Sequence, residues 1–146
     1  MQRAYLNPGR PTKAAVASPR KALGKLSGHG VRFVGHADIL VVGEGIETVL
    51  SLVQAVPEIP AAAALSASHL AAFELPSGLR YLIIAQDNDA AGHSAAARLR
   101  ARAQARGIAV VDLVPKLGDF NDDLIAFGTE HLSRRLQHAV RYALAS

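Results

Sequence analysis

The sequence predicts an α/β protein: a mainly parallel sheet of about four strands, flanked by helices and preceded by a short basic lead-in of strand and loop. Three observations predict it. From residue 38 onward, short apolar runs recur with the length of buried strands. Between them lie segments with apolar residues at helical spacing, and such alternation implies a parallel sheet. Turn formers sit at the junctions.

In residues 1–35, Asn7-Pro8-Gly9 marks a hairpin or loop, and Pro19, Gly24, Gly28 and Gly30 punctuate the rest. Short strands are expected near Ala4–Leu6 and Val31–Val34. Ile39-Leu40-Val41-Val42 is a strand buried on both faces. Gly43-Glu44-Gly45 breaks it, and Ile46–Val56 carries Ile46, Val49, Leu50 and Val53 at helical spacing until Pro57 stops the helix. Ala61–Leu65 is a second short strand, and Ser68–Phe73 a short helix capped by Ser66 or Ser68. Leu79–Ala85 is the clearest strand, and Gln86–Gly92 the loop after it. Ala90–Arg106 is a long Ala/Arg helix closed by Gly107. Ile108–Val114 is the last strand, residues 115–120 a loop, and 121–127 and 129–144 the closing helices. The chain divides into a lead-in, residues 1–35, and a main domain, residues 36–146.

Composition narrows the chemistry. Half the residues are hydrophobic, with four Phe, three Tyr and no Trp, so Ala, Leu, Val and Ile build the core. Cysteine is absent, which excludes disulfides, thiolate metal sites and Cys nucleophiles. The start lacks the apolar segment of a signal peptide, and the longest uncharged run, Ile59 to Phe73, is shorter than a membrane helix. A soluble cytoplasmic protein without membrane partners is expected. The net charge of +4 hides an asymmetry. Residues 1–35 carry Arg3, Arg10, Lys13, Arg20, Lys21, Lys25 and Arg32 and no acid, whereas the rest holds nine basic and twelve acidic residues. A cationic arm on an acidic body suits a polyanion, with Lys13, Arg20, Lys21 and Arg32 as candidate nucleic-acid or nucleotide contacts; a solvated lead segment is the plainer reading.

In an open parallel sheet, ligands collect outside the carboxyl ends of the strands. After the first main strand comes Gly43-Glu44-Gly45-Ile46-Glu47, after the third Asp87-Asn88-Asp89, and after the fourth Gly118-Asp119-Phe120-Asn121-Asp122-Asp123. Three strand ends deliver carboxylates to one rim. Two unit charges about 4 Å apart repel by roughly 4 kcal/mol at an effective dielectric near 20, so such a cluster calls for a proton or a cation. Oxygen ligands without Cys or a His pair select Mg²⁺, Mn²⁺ or Ca²⁺ over zinc. Each group also has a purely structural explanation. Asp87 and Asp89 suit an Asx-turn and helix cap, Glu44 and Glu47 a helix first turn, and Asp119, Asp122 and Asp123 the cap of helix 121–127. Arg98, Arg102 and Arg106 form a helix stripe, either solvated or facing nucleic acid. His131 and His138 lie one heptad apart, with a surface role expected.

Val41-Val42-Gly43-Glu44-Gly45-Ile46-Glu47-Thr48 and Ile83-Ile84-Ala85-Gln86-Asp87-Asn88-Asp89-Ala90-Ala91-Gly92 resemble the two signatures of the Toprim domain, a Rossmann-like fold shared by bacterial primases, topoisomerases, OLD-type nucleases and recombination proteins. Gly118-Asp119-Phe120-Asn121-Asp122 is similar to the third motif of the primase branch, in the form seen in phage, plasmid and conjugative-element proteins. Arg3-Ala4-Tyr5-Leu6, Lys21-Ala22-Leu23-Gly24 and Gly30-Val31-Arg32-Phe33 look like the stretch that precedes Toprim there. The resemblance implies that Glu44, Asp87 and Asp89 are catalytic. Glu44 acts as general acid/base or metal ligand, Asp87 and Asp89 hold Mg²⁺ (or Mn²⁺), and Asp119 with Asp122 completes a second metal position. Asn121 stands where many primases have Asp, which weakens that second position. It further implies primer synthesis by nucleotidyl transfer, with single-stranded DNA and nucleoside triphosphates as partners. A helicase, and a separate zinc-binding module for template recognition that a cysteine-free chain cannot supply, are further partners. The alternatives are a metal-dependent nuclease of the same fold and a non-catalytic nucleic-acid-binding piece of a larger replication protein.

Overall fold

The computed structural model describes residues 2–4, 20–22, 30–33 and 38–146. Two sheets are present among them. The smaller pairs β1 (Gln2–Ala4) with β2 (Arg20–Ala22), antiparallel. The larger has five strands in the order β3-β5-β4-β6-β7: β3 (Val31–Arg32), β4 (Ile39–Gly43), β5 (Ala61–Ala63), β6 (Tyr81–Ala85) and β7 (Ala109–Leu113). β3 runs antiparallel to β5, and every other pairing is parallel. The α/β fold with a mostly parallel sheet is therefore as expected, with the short antiparallel strand β3 added at one edge. Arg20–Ala22 was not foreseen as a strand. Of the two lead-in strands expected, Val31–Val34 is observed over Val31–Arg32 and Ala4–Leu6 meets β1 at Ala4; residues 5–19, which hold the Asn7-Pro8-Gly9 turn, and residue 34 lie outside the described residues.

Alternation along the strands sorts the core into two layers. Leu40, Val42, Leu82 and Ile84 face one side and pack with Leu70 and Phe73 and with Ala96 and Leu99. These come from α2 (Ala67–Ala71), the segment after it, and α3 (Ala90–Ala105). Val41, Ile83, Ala61 and Ala63 face the other side and meet Val49, Leu52, Phe120, Leu132 and Leu136. Those belong to α1 (Ile46–Ala55), α4 (Phe120–Phe127) and α5 (Thr129–Ala145). A buried strand flanked on both faces must be apolar at every position, which is why β4 and β6 read as continuous runs. Ala61 and Ala63 of β5 are small where α1 packs against the strand, and a larger side chain there would force the layers apart.

The helix ends follow the expected chemistry. The Ser66 hydroxyl accepts from the His69 amide and caps α2. Gly107, at φ +74°, ends α3 in a conformation other residues rarely adopt. The arginine stripe on α3 proves to be a brace. Arg102 donates to the carbonyls of Ala71 and Phe73, and Arg106 to that of Leu75, tying α3 to the segment after α2. No helix among the described residues is long and apolar enough to cross a membrane.

Candidate metal centre

The chain leaves β4 to one side, through α1 to β5, and returns on the other side of β4 as β6. The crevice at such a reversal, beyond the strands' carboxyl ends, is where parallel sheets bind ligands. Register fixes what meets there. Gly43 of β4 pairs with Ala85 of β6, and Ala85 with Leu113 of β7. Glu44 and Gln86 therefore leave the sheet at the same level on adjacent strands, with Asp87 one residue beyond. The loop after β7 is drawn in by the Asn88 amide, which donates to the Gly118 carbonyl at 2.9 Å. This tie brings Asp119 to the rim.

The result is a polar pocket of about 330 Å³ lined by Glu44, Glu47, Thr48, Asp87, Asp119 and Asn121, with Gly45 and Leu65 completing the wall. Glu44 is half-buried, and its Oε2 is shielded from solvent with no hydrogen-bond partner. Desolvation first, then the charges of Asp87 and Asp89, push its pKa from an ordinary 4.5 to about 7, against a smaller opposing pull from the Ala67 backbone amide. Asp87 is also raised, chiefly by burial. The Thr48 hydroxyl, donating to Asp87 Oδ1 at 3.2 Å, opposes this, while Asp119 and Asp89 add to it. The carboxylates thus sense one another across loops that follow three different strands.

Two backbone features hold the shape. A Cβ on Gly92 would lie 2.4 Å from the Asp87 carbonyl oxygen, so the glycine of the Asp-x-Asp-x-x-Gly run permits the tight fold-back that aims Asp87. Leu65, at φ +83°, is the one non-glycine residue with positive φ among those described. Its amide donates to the Glu44 carbonyl at 2.7 Å. Strained backbone of this kind concentrates at binding sites, where surrounding contacts hold it in place.

The structural explanations also hold, in part. One oxygen of Asp89 accepts from the Gly92 amide at 2.6 Å and caps α3; Asp119 caps α4 through the Asp122 amide at 2.8 Å. Capping uses a single carboxylate oxygen, so it leaves the second able to face a cation. Asp89 and Asp122 are exposed and outside the pocket lining. Asp123, treated in the sequence as a cap, is instead fully buried. It accepts from the Lys116 and Leu117 amides, both at 2.8 Å, and pairs with Arg135 at 3.2 Å, fixing the loop that carries Asp119. Sequence reasoning took Glu47 for a helix-start residue and passed over Thr48. Their place in the first turn of the helix that follows Glu44 was the available signal. Among the basic candidates, Lys13 lies outside the described residues, and Arg20 and Lys21 belong to β2. Arg32 is exposed on the edge strand β3, outside the pocket lining.

Among the described residues, no three Asp, Glu or His side chains stand close enough to hold an ion by themselves. That still fits a hard cation of the magnesium type, which takes one or two carboxylates and completes its octahedron with water and phosphate oxygens. The unpartnered Glu44 oxygen and the mutually raised carboxylates supply the donor set such an ion needs.

A doubly wound sheet with an acidic pocket at its switch point defines a class of α/β proteins that bind cationic or metal-bridged ligands at that edge. Within this class, residues 39–130 match the Toprim domain, and the chain belongs to that family. Toprim domains typically bind divalent metal ions such as Mg²⁺, and the family points to metal-dependent activity on nucleic acid. No curated protein matches the chain.

Proposed function

We propose that this protein carries out Mg²⁺-dependent nucleotidyl transfer on nucleic acid, of the primase type, joining ribonucleotides on a single-stranded DNA template. The observation that carries the reading is the meeting of Glu44 with Asp87 in one pocket at the switch point, where burial and the neighbouring carboxylates raise the Glu44 pKa to about 7 in the metal-free protein. A carboxyl group with a pKa near 7 can both take and return a proton at working pH, which is what a general acid/base at a 3′-hydroxyl requires. Asp87, with Asp89 or Asp119 beside it, is the group that holds the cation, while Thr48 orients Asp87. Asp122 contributes only if its exposed side chain turns inward. A bound divalent cation neutralises charge on the transferring phosphate. Asn121 lines the pocket in place of a carboxylate, which lowers the charge available for a second ion.

The primase assignment is supported by the third motif, whose Asp119 and Asn121 both line the pocket, and by the basic residues of the lead-in. Nucleoside triphosphates, a replicative helicase and a separate zinc-binding template-recognition module are the partners this reading calls for, and the cytoplasm is its setting. Dinucleotide synthesis on single-stranded DNA tests it. Wild type should make product with Mg²⁺, and Glu44→Gln and Asp87→Asn should lower the rate at least about 100-fold, the scale of a lost general acid/base. Degradation without synthesis replaces the primase reading by a nuclease. Binding without turnover in wild type replaces it by a non-catalytic module.

A further inference from the structure

Among the described residues, strand β7 is one edge of the larger sheet, and α5 lies against it with a groove of about 530 Å³ alongside. His131, Arg134, His138 and Tyr142 line that groove at spacings of three or four residues, so they form one stripe along the helix. Tyr142 is 64% exposed, a large ring left in solvent. His131 Nε2 is buried with no hydrogen-bond partner. Desolvation, then the nearby charges of Lys116 and Arg135, lower the His131 pKa from its usual value, with Asp123 opposing. At its start the stripe continues onto Phe127, whose ring centroid is 5.0 Å from that of His131, and the Lys116 ammonium sits 5.2 Å from the Phe127 ring.

Rings and cations are interspersed along the stripe, while the one acid in the groove lining, Asp112 of β7, is paired with Arg100. α5 holds three arginines and two histidines against a single acid, Glu130. Arg135 is committed to Asp123 and the Val114 carbonyl. Among the described residues Arg134 pairs with the exposed Glu130 at 3.6 Å, a weak surface pair that leaves the guanidinium available to a stronger anion. From His131 to Tyr142 the stripe runs about 16 Å, the scale of a few nucleotides. Lys116, beside Phe127 at the start of the stripe, is three residues from Asp119, at most about 11 Å of chain, so this end of the stripe points toward the acidic pocket.

We propose that this groove is a track for single-stranded nucleic acid, in which bases stack on Phe127, His131, His138 and Tyr142 while phosphates meet Lys116 and Arg134. Stacking on rings beside cations is how single strands are held without sequence preference. The choice of partner rests on the functional reading above, but the track makes no use of the acidic pocket.

The test is fluorescence anisotropy of labelled single-stranded DNA and RNA oligonucleotides in EDTA, where cation-dependent binding is silent. Wild type should bind at least one probe. Tyr142→Ala, a change at an exposed ring, should weaken it about five- to tenfold. Arg134→Glu should weaken it further and lower the salt slope by about one unit. Wild-type affinity in both groove variants, or no binding of either probe by wild type, overturns the track whatever the acidic pocket does. So does a concentration-dependent dimer that Tyr142→Ala dissolves, because a second copy then covers the groove.

Discussion

Under the proposed function, Glu44 concentrates the chemistry in one side chain. Its acid form is stabilised by burial and by two neighbouring carboxylates, so the native state holds that proton more tightly than the unfolded chain. Between pH 4.5 and about 7 the native state therefore binds more protons than the unfolded state, and stability falls as pH rises through this window. Asp87 shifts in the same direction and adds to the slope. Thermal melts of metal-free protein should show Tm decreasing across the window, and Glu44→Gln should flatten most of that decrease. A second residue-scale prediction separates capping from cation binding. Asp119→Asn keeps an N-cap acceptor and removes a charge, so stability should change by no more than about 0.5 kcal/mol while metal affinity falls. Urea unfolding beside a metal titration on this one variant checks both halves.

At the scale of elements, the loop after β6 and the loop after β7 shape the acidic pocket. Gly92 lets the first fold back on Asp87, and Asp123 fastens the second through two backbone amides and Arg135. Gly92→Ala should cost about 1–3 kcal/mol by forcing a methyl onto the Asp87 carbonyl. It should also weaken metal binding, because Asp87 must move; equilibrium unfolding and metal titration of that variant give both numbers. The strands after residue 38 were legible in the sequence to within two residues, because strands covered on both faces must be apolar throughout. Glu44, Asp87 and Asp119 were legible for a related reason: each directly follows such a strand or its short loop. Asp123 was not, since an acid in a helix first turn looks the same whether it faces water or ties down a loop. The brace formed by Arg102 and Arg106 was hidden likewise, because its carbonyl partners lie about thirty residues away in sequence. β2 was hidden because a three-residue strand rich in basic residues carries no apolar alternation.

For the molecule as a whole, function follows from where the chain reverses direction across the sheet. β4 and β6 are adjacent, parallel and in register, so the groups leaving them must meet, and β7 adds a third. Like charges gathered at one edge leave the fold below its best stability, and a cation relieves the repulsion. Binding to the native state alone raises stability by about 2.7 kcal/mol when the ion is present at 100 times its Kd. The most direct measurement of this claim is a calorimetric titration with Mg²⁺ and with Mn²⁺, comparing wild type with the Asp87→Asn/Asp89→Asn double variant. A saturable heat in wild type that disappears in the folded double variant is the result expected. The same heat in both proteins, or none in wild type, would contradict a shared cation at this edge.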